Sequence, residues 1–312
     1  MFYARRQGRI ICEIYFQKQF FCRNDKIYSM RTTIYIIIVH FGDPSPTAEC
    51  LKSVQERITN SKIVLVDNDI NPLASYSKSI IHIKNKKNIG FVGGNNIGVK
   101  FCLRQGAKDV FLLNNDCFIK KDPIPLLRKN LWKKANTGIT GPKIITSENK
   151  TWFAGGYIDK NRYTAGHFGF DSEKLETPKN NIDFISGCSM LVKSEVFKKI
   201  GFFEEQYFLY YEDVDFSVRA IQAGFNIKYV PKSIVYHKAR TKNQSSEYYQ
   251  ERNYLLFVEK KVPFKIKARE IIRIPKSLLE ILKEKDEQIK QYRLRGFTDY
   301  FKRNFGKYDY RN

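Results

Sequence analysis

Two apolar runs that each end in a cluster of asparagine and aspartate do most to limit what this chain can fold into. They are KIVLVDND, residues 62 to 69, and DVFLLNND, residues 109 to 116. Two further apolar runs accompany them, IYIIIV at 34 to 39 and SIIHIK at 79 to 84. Such β-branched, near-continuous hydrophobicity belongs to strands covered on both faces, as in a parallel sheet. Helical spacing separates the runs. Leu51, Val54 and Ile58 follow the break FGDPSPT, and Ile97 and Phe101 lead to a stop between Arg104 and Gly106. Alternating strand and helix predicts an α/β fold with a mostly parallel central sheet flanked by helices. Sheets of this kind bind ligands beyond the carboxyl ends of their strands, so VDND and LNND mark the expected edge of a site.

The second half of the chain is less regular. Ile124, Leu127 and Leu131 predict a helix opened by Pro123. WFAGGYIDKNRYTAGHFG has no helical period and reads as turns and short strands, and DFISGCSMLVK as paired short strands. A short helix runs from Ser194 to Ile200 and stops at Gly201. Another is expected from about 212 to 223, with Val214, Val218 and Ile221 inward and Gly224 at its end. NIKYVP is the last strand, and His237 follows it. Beyond residue 240, basic helices are joined near Pro263 and Pro275. The expected organisation is an extension over 1–29, an α/β domain over 30–240 and a basic helical region over 241–312. Met30 stands just before the first core strand, so residues 1–29 read as dispensable, or as the product of an upstream start codon.

Composition closes off several classes. With 42% apolar and 14% aromatic residues the chain can build a core, so it is not a disordered protein. No run approaches the ~20 apolar residues a membrane-spanning helix needs. Arg9, Glu13 and Lys18 interrupt the apolar start, which leaves no secretory signal core. The six cysteines, at 12, 22, 50, 102, 117 and 188, lack the spacing of a zinc site or disulfide framework. Cys50 and Cys102 fall on apolar helix faces and read as core residues. The expected location is reducing cytosol, at most peripheral to the inner face of the cytoplasmic membrane. A formal net charge of +23 calls for an anionic partner: nucleic acid, anionic lipid or a phosphorylated ligand. Residues 238 to 312 carry 20 Lys and Arg against 10 Asp and Glu, so the charge is heaviest at the C-terminal end.

Four stretches carry candidate chemistry. In NIGFVGGNNIG, residues 88 to 98, the glycines match neither a dinucleotide fingerprint nor a P-loop. Two readings stay open: a tight turn at Gly93-Gly94 with an asparagine helix cap, or close approach of a ligand to bare backbone at a helix N-terminus. In LLNND, Asp116 can offer one carboxylate to a hard divalent cation carrying a diphosphate, unless the sequence is an ordinary Asn/Asp turn. In YEDVDF, Asp215 and Arg219 lie four apart and can pair, which makes Asp215 structural. Asp213 has no basic residue three or four positions along and is the candidate general base, with Glu212 its rival. His237 is a lone histidine near a strand end, structural or a metal ligand.

In order, VDND, NIGFVGGNN, LLNND, the long stretch SGCSMLVK through YYEDVDFSVRAIQAGF, and VPKSIVYH resemble the motif series of family 2 glycosyltransferases, nearest to the rhamnosyltransferase-like bacterial branch. The resemblance spans roughly 33 to 240, and YRLRGFTDYFKRNFGK weakly resembles that branch's C-terminal tail. It implies a GT-A fold and inverting, metal-dependent transfer from a UDP- or dTDP-sugar, with rhamnose or another hexose moved to a glycan or lipid-linked glycan acceptor in surface polysaccharide synthesis. It carries Asp67 to the nucleobase contact, Asp116 and His237 to Mg²⁺ or Mn²⁺, and Asp213 to the catalytic base. Asn68, Gly93, Gly94, Asn95 and Asn115 fall on the nucleotide-sugar side. Asn114 stands where the family's metal motif has its first Asp, which removes one negative charge. The basic tail would face an anionic membrane surface or form a solvated cap. A sugar nucleotidyltransferase and a basic nucleic-acid-binding protein are the rival readings. Against the first, HFGDPSPT is a poor activation loop. Against the second, acidic clusters occupy the ligand edge, and no nucleic acid is expected.

Overall fold

The computed structural model describes residues 32–69, 77, 79–171, 182–238 and 245–308. The extension at 1–29, with Cys12 and Cys22, lies outside them. The N-terminal half follows the expected alternation: β1 (Ile34–His40), α1 (Pro44–Arg57), β2 (Ser61–Asp67), β3 (Ile80–Lys84), α2 (Gly90–Arg104) and β4 (Asp109–Leu113). Asp43 opens α1 by accepting from Ser45 N at 2.9 Å, and Cys50, Leu51 and Val54 face the core. The stretch HFGDPSPT therefore serves as a helix cap.

The second half contributes β5 (Cys117–Phe118), α3 (Ile124–Leu131), β6 (Thr137–Thr146), β7 (Thr151–Phe153), β8 (Gly156–Ile158), β9 (Ala165–His167), β10 (Ser189–Lys193), α4 (Ser194–Ile200), α5 (Glu212–Gln222) and β11 (Asn226–His237). Three C-terminal helices follow: α6 (Ser246–Lys261), α7 (Phe264–Leu282) and α8 (Glu287–Phe301). The main sheet runs β3-β2-β1-β4-β10-β6-β11-β5, with β7 against β6. Strands β3, β2, β1 and β4 are parallel, as the buried β-branched runs require. Beyond β4 the sheet becomes mixed, because β10 enters antiparallel to both β4 and β6.

Several local expectations need correction. DFISGCSMLVK forms one strand, β10, and Phe184 makes only an isolated bridge to Gly156. β11 does not end at Pro231. A register shift between Val230 and Ile234 absorbs the proline, and the strand continues to His237. Helix α5 turns Phe216 and Ala220 inward and leaves Ile221 exposed, because Asp215 and Ser217 occupy buried positions. Pro275 lies inside α7 and not between helices.

Helix α6 belongs to the main hydrophobic core. Leu256, Phe257 and Val258 join the same buried cluster as the sheet. Helix α8 packs on α6 through Gly296, where a Cβ would sit 2.4 Å from Tyr248 O. No helix among the described residues is long and apolar enough to cross a membrane.

Candidate active site

The polar strand ends gather on one edge of the sheet. β1 and β2 end in register at His40 and Asp67, and the turn after β4 carries Asn114, Asn115 and Asp116. His237, last in β11, pairs with Cys117 of β5, so its imidazole falls beside that turn. Its Nε2 lies 3.2 Å from Asp116 Oδ1. Burial opposes the imidazolium, but Cys188 and the Asp116 carboxylate outweigh it and raise the His237 pKa to about 9. Asn115 Nδ2 donates to Thr47 Oγ1 at 2.9 Å, and that hydroxyl lies 2.7 Å from His40 Nδ1. Asn114 Oδ1 and His237 Nδ1 are buried with no hydrogen-bond partner among the described residues, and Asp116 Oδ1 has none there beyond the His237 Nε2 contact. Buried polar atoms normally have partners, so two orphans beside one ion pair indicate a site shaped for something else. The available donors are a carboxylate and an amide oxygen with an imidazole. That set fits a divalent cation that keeps positions open for phosphate or water. No group of three His, Cys, Asp or Glu poised for a metal occurs among the described residues.

The second carboxylate site, at Asp213, is far along the chain from Asp116 and reaches it through two adjacent residues, Gly187 and Cys188. Asp213 Oδ2 accepts from Gly187 N at 2.8 Å and Oδ1 from Val214 N at 2.8 Å. The neighbour of Gly187, Cys188, accepts from Asn114 N at 2.9 Å through its carbonyl. Gly187 and Cys188 thus connect the Asp213 carboxylate to the Asn114–Asp116 turn. Burial pushes the Asp213 pKa up, although the two N–H donors oppose it. Glu212 is raised well above its ordinary value, by burial first and then by the charge of Asp213. Its Oε2 has no hydrogen-bond partner among the described residues. Tyr210 is also raised, by burial and then by the charges of Glu212 and Asp116.

The loop that delivers Asp213 is bent against its preference. Phe208, Tyr210 and Tyr211 all have φ between 63° and 70° without being glycine. Two fully buried side chains of α6 hold it. Asn253 Nδ2 donates to the carbonyls of Tyr207, Leu209 and Tyr210 at 2.7–2.9 Å. Arg252 donates to Gln206 O, Tyr207 O and Gly306 O. These two residues are absent from the sequence reading. Their signal was available: a polar pair at helical spacing between Tyr248-Tyr249 and Leu256-Phe257, on what is otherwise the apolar face of a helix. The expected pair of Asp215 with Arg219 is present at 2.7 Å, and Lys261 adds a second contact at 3.1 Å.

The glycine-rich stretch is neither the turn nor the open backbone expected of it. Gly93, Gly94 and Asn95 lie buried inside α2. The turn is at Gly90, φ +80°, whose N–H donates to Asn88 Oδ1 at 2.8 Å. A Cβ on Gly94 would meet Val39 Cγ1 at 2.7 Å, and one on Gly98 would meet Ile37 Cγ2 at 2.6 Å. Those glycines let α2 press onto β1. Asn95 Nδ2 donates to Phe91 O within the helix, and Asn96 clamps the Phe203 backbone through both N–H and carbonyl. Asn68 Nδ2 donates to Gly90 O at 2.8 Å, fixing the same helix start. Asp67 is buried, with His82 Nε2 at 3.2 Å and Asp69 N at 3.0 Å.

A model of the family described as "Glycosyltransferase like family 2" matches residues 30–254. The chain belongs to this family. Its sheet has the GT-A architecture. A crystal structure of GalNAc-T7 with UDP, GalNAc and Mn²⁺ shares that fold, with a TM-score of 0.57 at 17% identity. The match covers 87% of this chain but only 56% of that one. Similar proteins include a low-salt glycan biosynthesis hexosyltransferase, Agl10, of Haloferax volcanii, 27% identical over 64% of this chain and 65% of that protein. The chain thus spans just under two thirds of that relative. The dTDP-rhamnosyl transferase RfbF of Shigella flexneri is 25% identical over 78% of this chain and 86% of its own length. The rhamnosyltransferase WbbL of Escherichia coli is 26% identical over 68% and 86%. Within this chain, then, Asp116 pairs with His237, Asp213 is joined to the adjacent Asn114 turn through Gly187 and Cys188, and Gly93, Gly94 and Asn95 are taken up by helix packing.

Proposed function

We propose that this family 2 glycosyltransferase catalyses inverting transfer of rhamnose or another hexose from a UDP- or dTDP-linked donor to a glycan or lipid-linked glycan acceptor, in the synthesis of surface polysaccharide. The observation that carries this reading is the Gly187-Cys188 junction, which ties a proton acceptor to a cation-shaped turn through two adjacent residues. The family, the rhamnosyltransferase relatives and the UDP and Mn²⁺ bound by the GalNAc-T7 structure support it.

Asp116 and His237, with Asn114 Oδ1 beside them, would hold Mg²⁺ or Mn²⁺, which when bound neutralises charge on the donor diphosphate. Asn114 in place of a carboxylate leaves this group one charge short, so donor phosphate oxygens are needed to complete the coordination. Asp67, Asn68 and Asn115 line the same strand-end edge and would shape the nucleotide side. Asp213 takes the acceptor hydroxyl proton. The structure offers a physical ground for choosing it over Glu212. Two backbone N–H groups favour the Asp213 anion, whereas burial and the neighbouring Asp213 charge disfavour the Glu212 anion, whose Oε2 has no partner among the described residues. Of the two carboxyls, Asp213 is the better placed to be the base.

The test is turnover of the purified chain with a panel of UDP- and dTDP-sugars and a lipid-linked glycan acceptor, with NMR of the product's anomeric centre. Asp213→Asn should reduce kcat by about 10²–10⁴ with an intact fold. Retained anomeric configuration, or full activity of the variant, rules out the mechanism.

A further inference from the structure

Helix α7 has one side fixed to the catalytic domain and one side bare. On the fixed side, Ile281 is fully buried, Ile266 packs against the main core, and Glu270 accepts from Tyr254 OH at 3.3 Å. Arg269 binds the carbonyl of Asn161 and pairs with Glu270. On the bare side stand Phe264, 82% exposed, Ile272, 78% exposed, and the exposed side chains of Ile271, Leu279 and Leu282. At helical spacing these five and Pro275 fall within an arc of roughly 100°. Lys265, Lys276 and Lys283, all exposed, line one border of that arc. Glu270 lies on the inner side, and Glu280 lies beyond the lysine ridge. A soluble surface seldom leaves such a stripe uncovered.

We infer that this face of α7 is an interfacial anchor that lies flat on an anionic lipid bilayer, with Phe264, Ile271, Ile272, Leu279 and Leu282 in the headgroup–acyl boundary and the three lysines against lipid phosphates. Charge selects this occupant. An apolar stripe edged by one sign of charge matches a surface that is apolar within and anionic at its rim. A second copy packed antiparallel on the same face would set lysine against lysine. The N-terminal residues 1–30 carry six Lys and Arg against two acidic residues and repel the ridge in the same way. Because the inner side of α7 is bonded to the catalytic domain, the anchor also sets the orientation of the active site relative to the lipid. The inference deepens the proposed use of a lipid-linked acceptor. Its test uses neither donor nor acceptor, so vesicle binding and sugar transfer can fail separately.

The experiment is flotation of the full chain with vesicles of phosphatidylcholine alone or of phosphatidylcholine and phosphatidylglycerol in equal parts. Wild-type protein should float with the anionic vesicles and much less with the neutral ones. Ile272→Glu should weaken binding at least about tenfold. Replacing Lys265, Lys276 and Lys283 by Gln should weaken it by about two orders of magnitude. Both changes are on bare surface and should leave thermal melting unchanged. In an Ile272→Trp variant, emission of the new indole should shift to the blue on binding. Failure of the full chain to float overturns the inference, as does equal binding by Ile272→Glu. Vesicle binding without a blue shift overturns it in favour of another face. A concentration-dependent dimer abolished by Ile272→Glu, with no vesicle binding, assigns the stripe to a second copy. Binding that appears only after residues 1–29 are removed assigns it to that segment.

Discussion

Replacing Asn253 by aspartate exchanges one NH₂ for one oxygen and changes the volume hardly at all. The amide it removes donates to Tyr207 O, Leu209 O and Tyr210 O at 2.9, 2.7 and 2.8 Å. Tyr207 O keeps Arg252 Nη2 at 2.9 Å. Leu209 O and Tyr210 O lose this donor and instead face another acceptor. An unsatisfied buried polar group costs about 1–3 kcal/mol, and because these two contacts are only part-buried the pair together costs about 1–3 kcal/mol. That is a sizeable part of the ~5–15 kcal/mol that holds a domain together. The loss falls on a loop with three non-glycine residues at positive φ, each costing about 1–2 kcal/mol, so the loop has its own reason to relax. Relaxation moves Asp213, and kcat should fall with stability. Urea unfolding gives the first quantity, and sugar transfer well below the melting temperature gives the second. A variant within about 0.5 kcal/mol of wild type, with normal kcat, refutes the idea that Asn253 holds the loop.

Other measurements bear on the site. Burial raises the Asp213 pKa, so the acidic limb of the kcat–pH profile should lie above the ordinary carboxylate range, with the rate rising as the base ionises; a limb at the usual value removes Asp213 from the role. Glu212 and Asp213 are both raised in the fold, so their contribution to stability is present below the unfolded carboxylate pKa and lost as pH rises through the raised values. Glu212→Gln should flatten that fall in urea unfolding across pH. Asp116→Ala should weaken Mn²⁺ and donor binding together in calorimetric titration, and an unchanged Mn²⁺ isotherm excludes it from the cation site. Gly94→Ala should cost about 1–3 kcal/mol through the clash with Val39. Unchanged stability with weakened donor affinity would restore the ligand-approach reading of that glycine.

What the sequence by itself determined is what repeats within a few residues. The parallel strands β1 to β4, their polar ends, the helix at Ile124–Leu131, the stop at Gly201, the Asp215–Arg219 pair and the core cysteines Cys50 and Cys102 are all written in local spacing. Apolar periodicity and helix-turn contacts need no knowledge of distant chain. The tertiary structure decided everything that depends on a distant neighbour. Asp116 and His237 meet because β5 pairs with β11. Gly94 and Gly98 are small because β1 lies under α2, not because a ligand does. Ile221 is outside because Phe216 and Ala220 take the inner face of α5. Arg252 and Asn253 stand out in the sequence only as a polar pair on an apolar helix face; that they hold the strained loop before Asp213 is decided by packing. The stripe on α7 is visible as hydrophobicity in the sequence, but only packing shows which of its sides is left bare. Periodicity states that a side chain should be covered; only the arrangement of the other elements states what covers it.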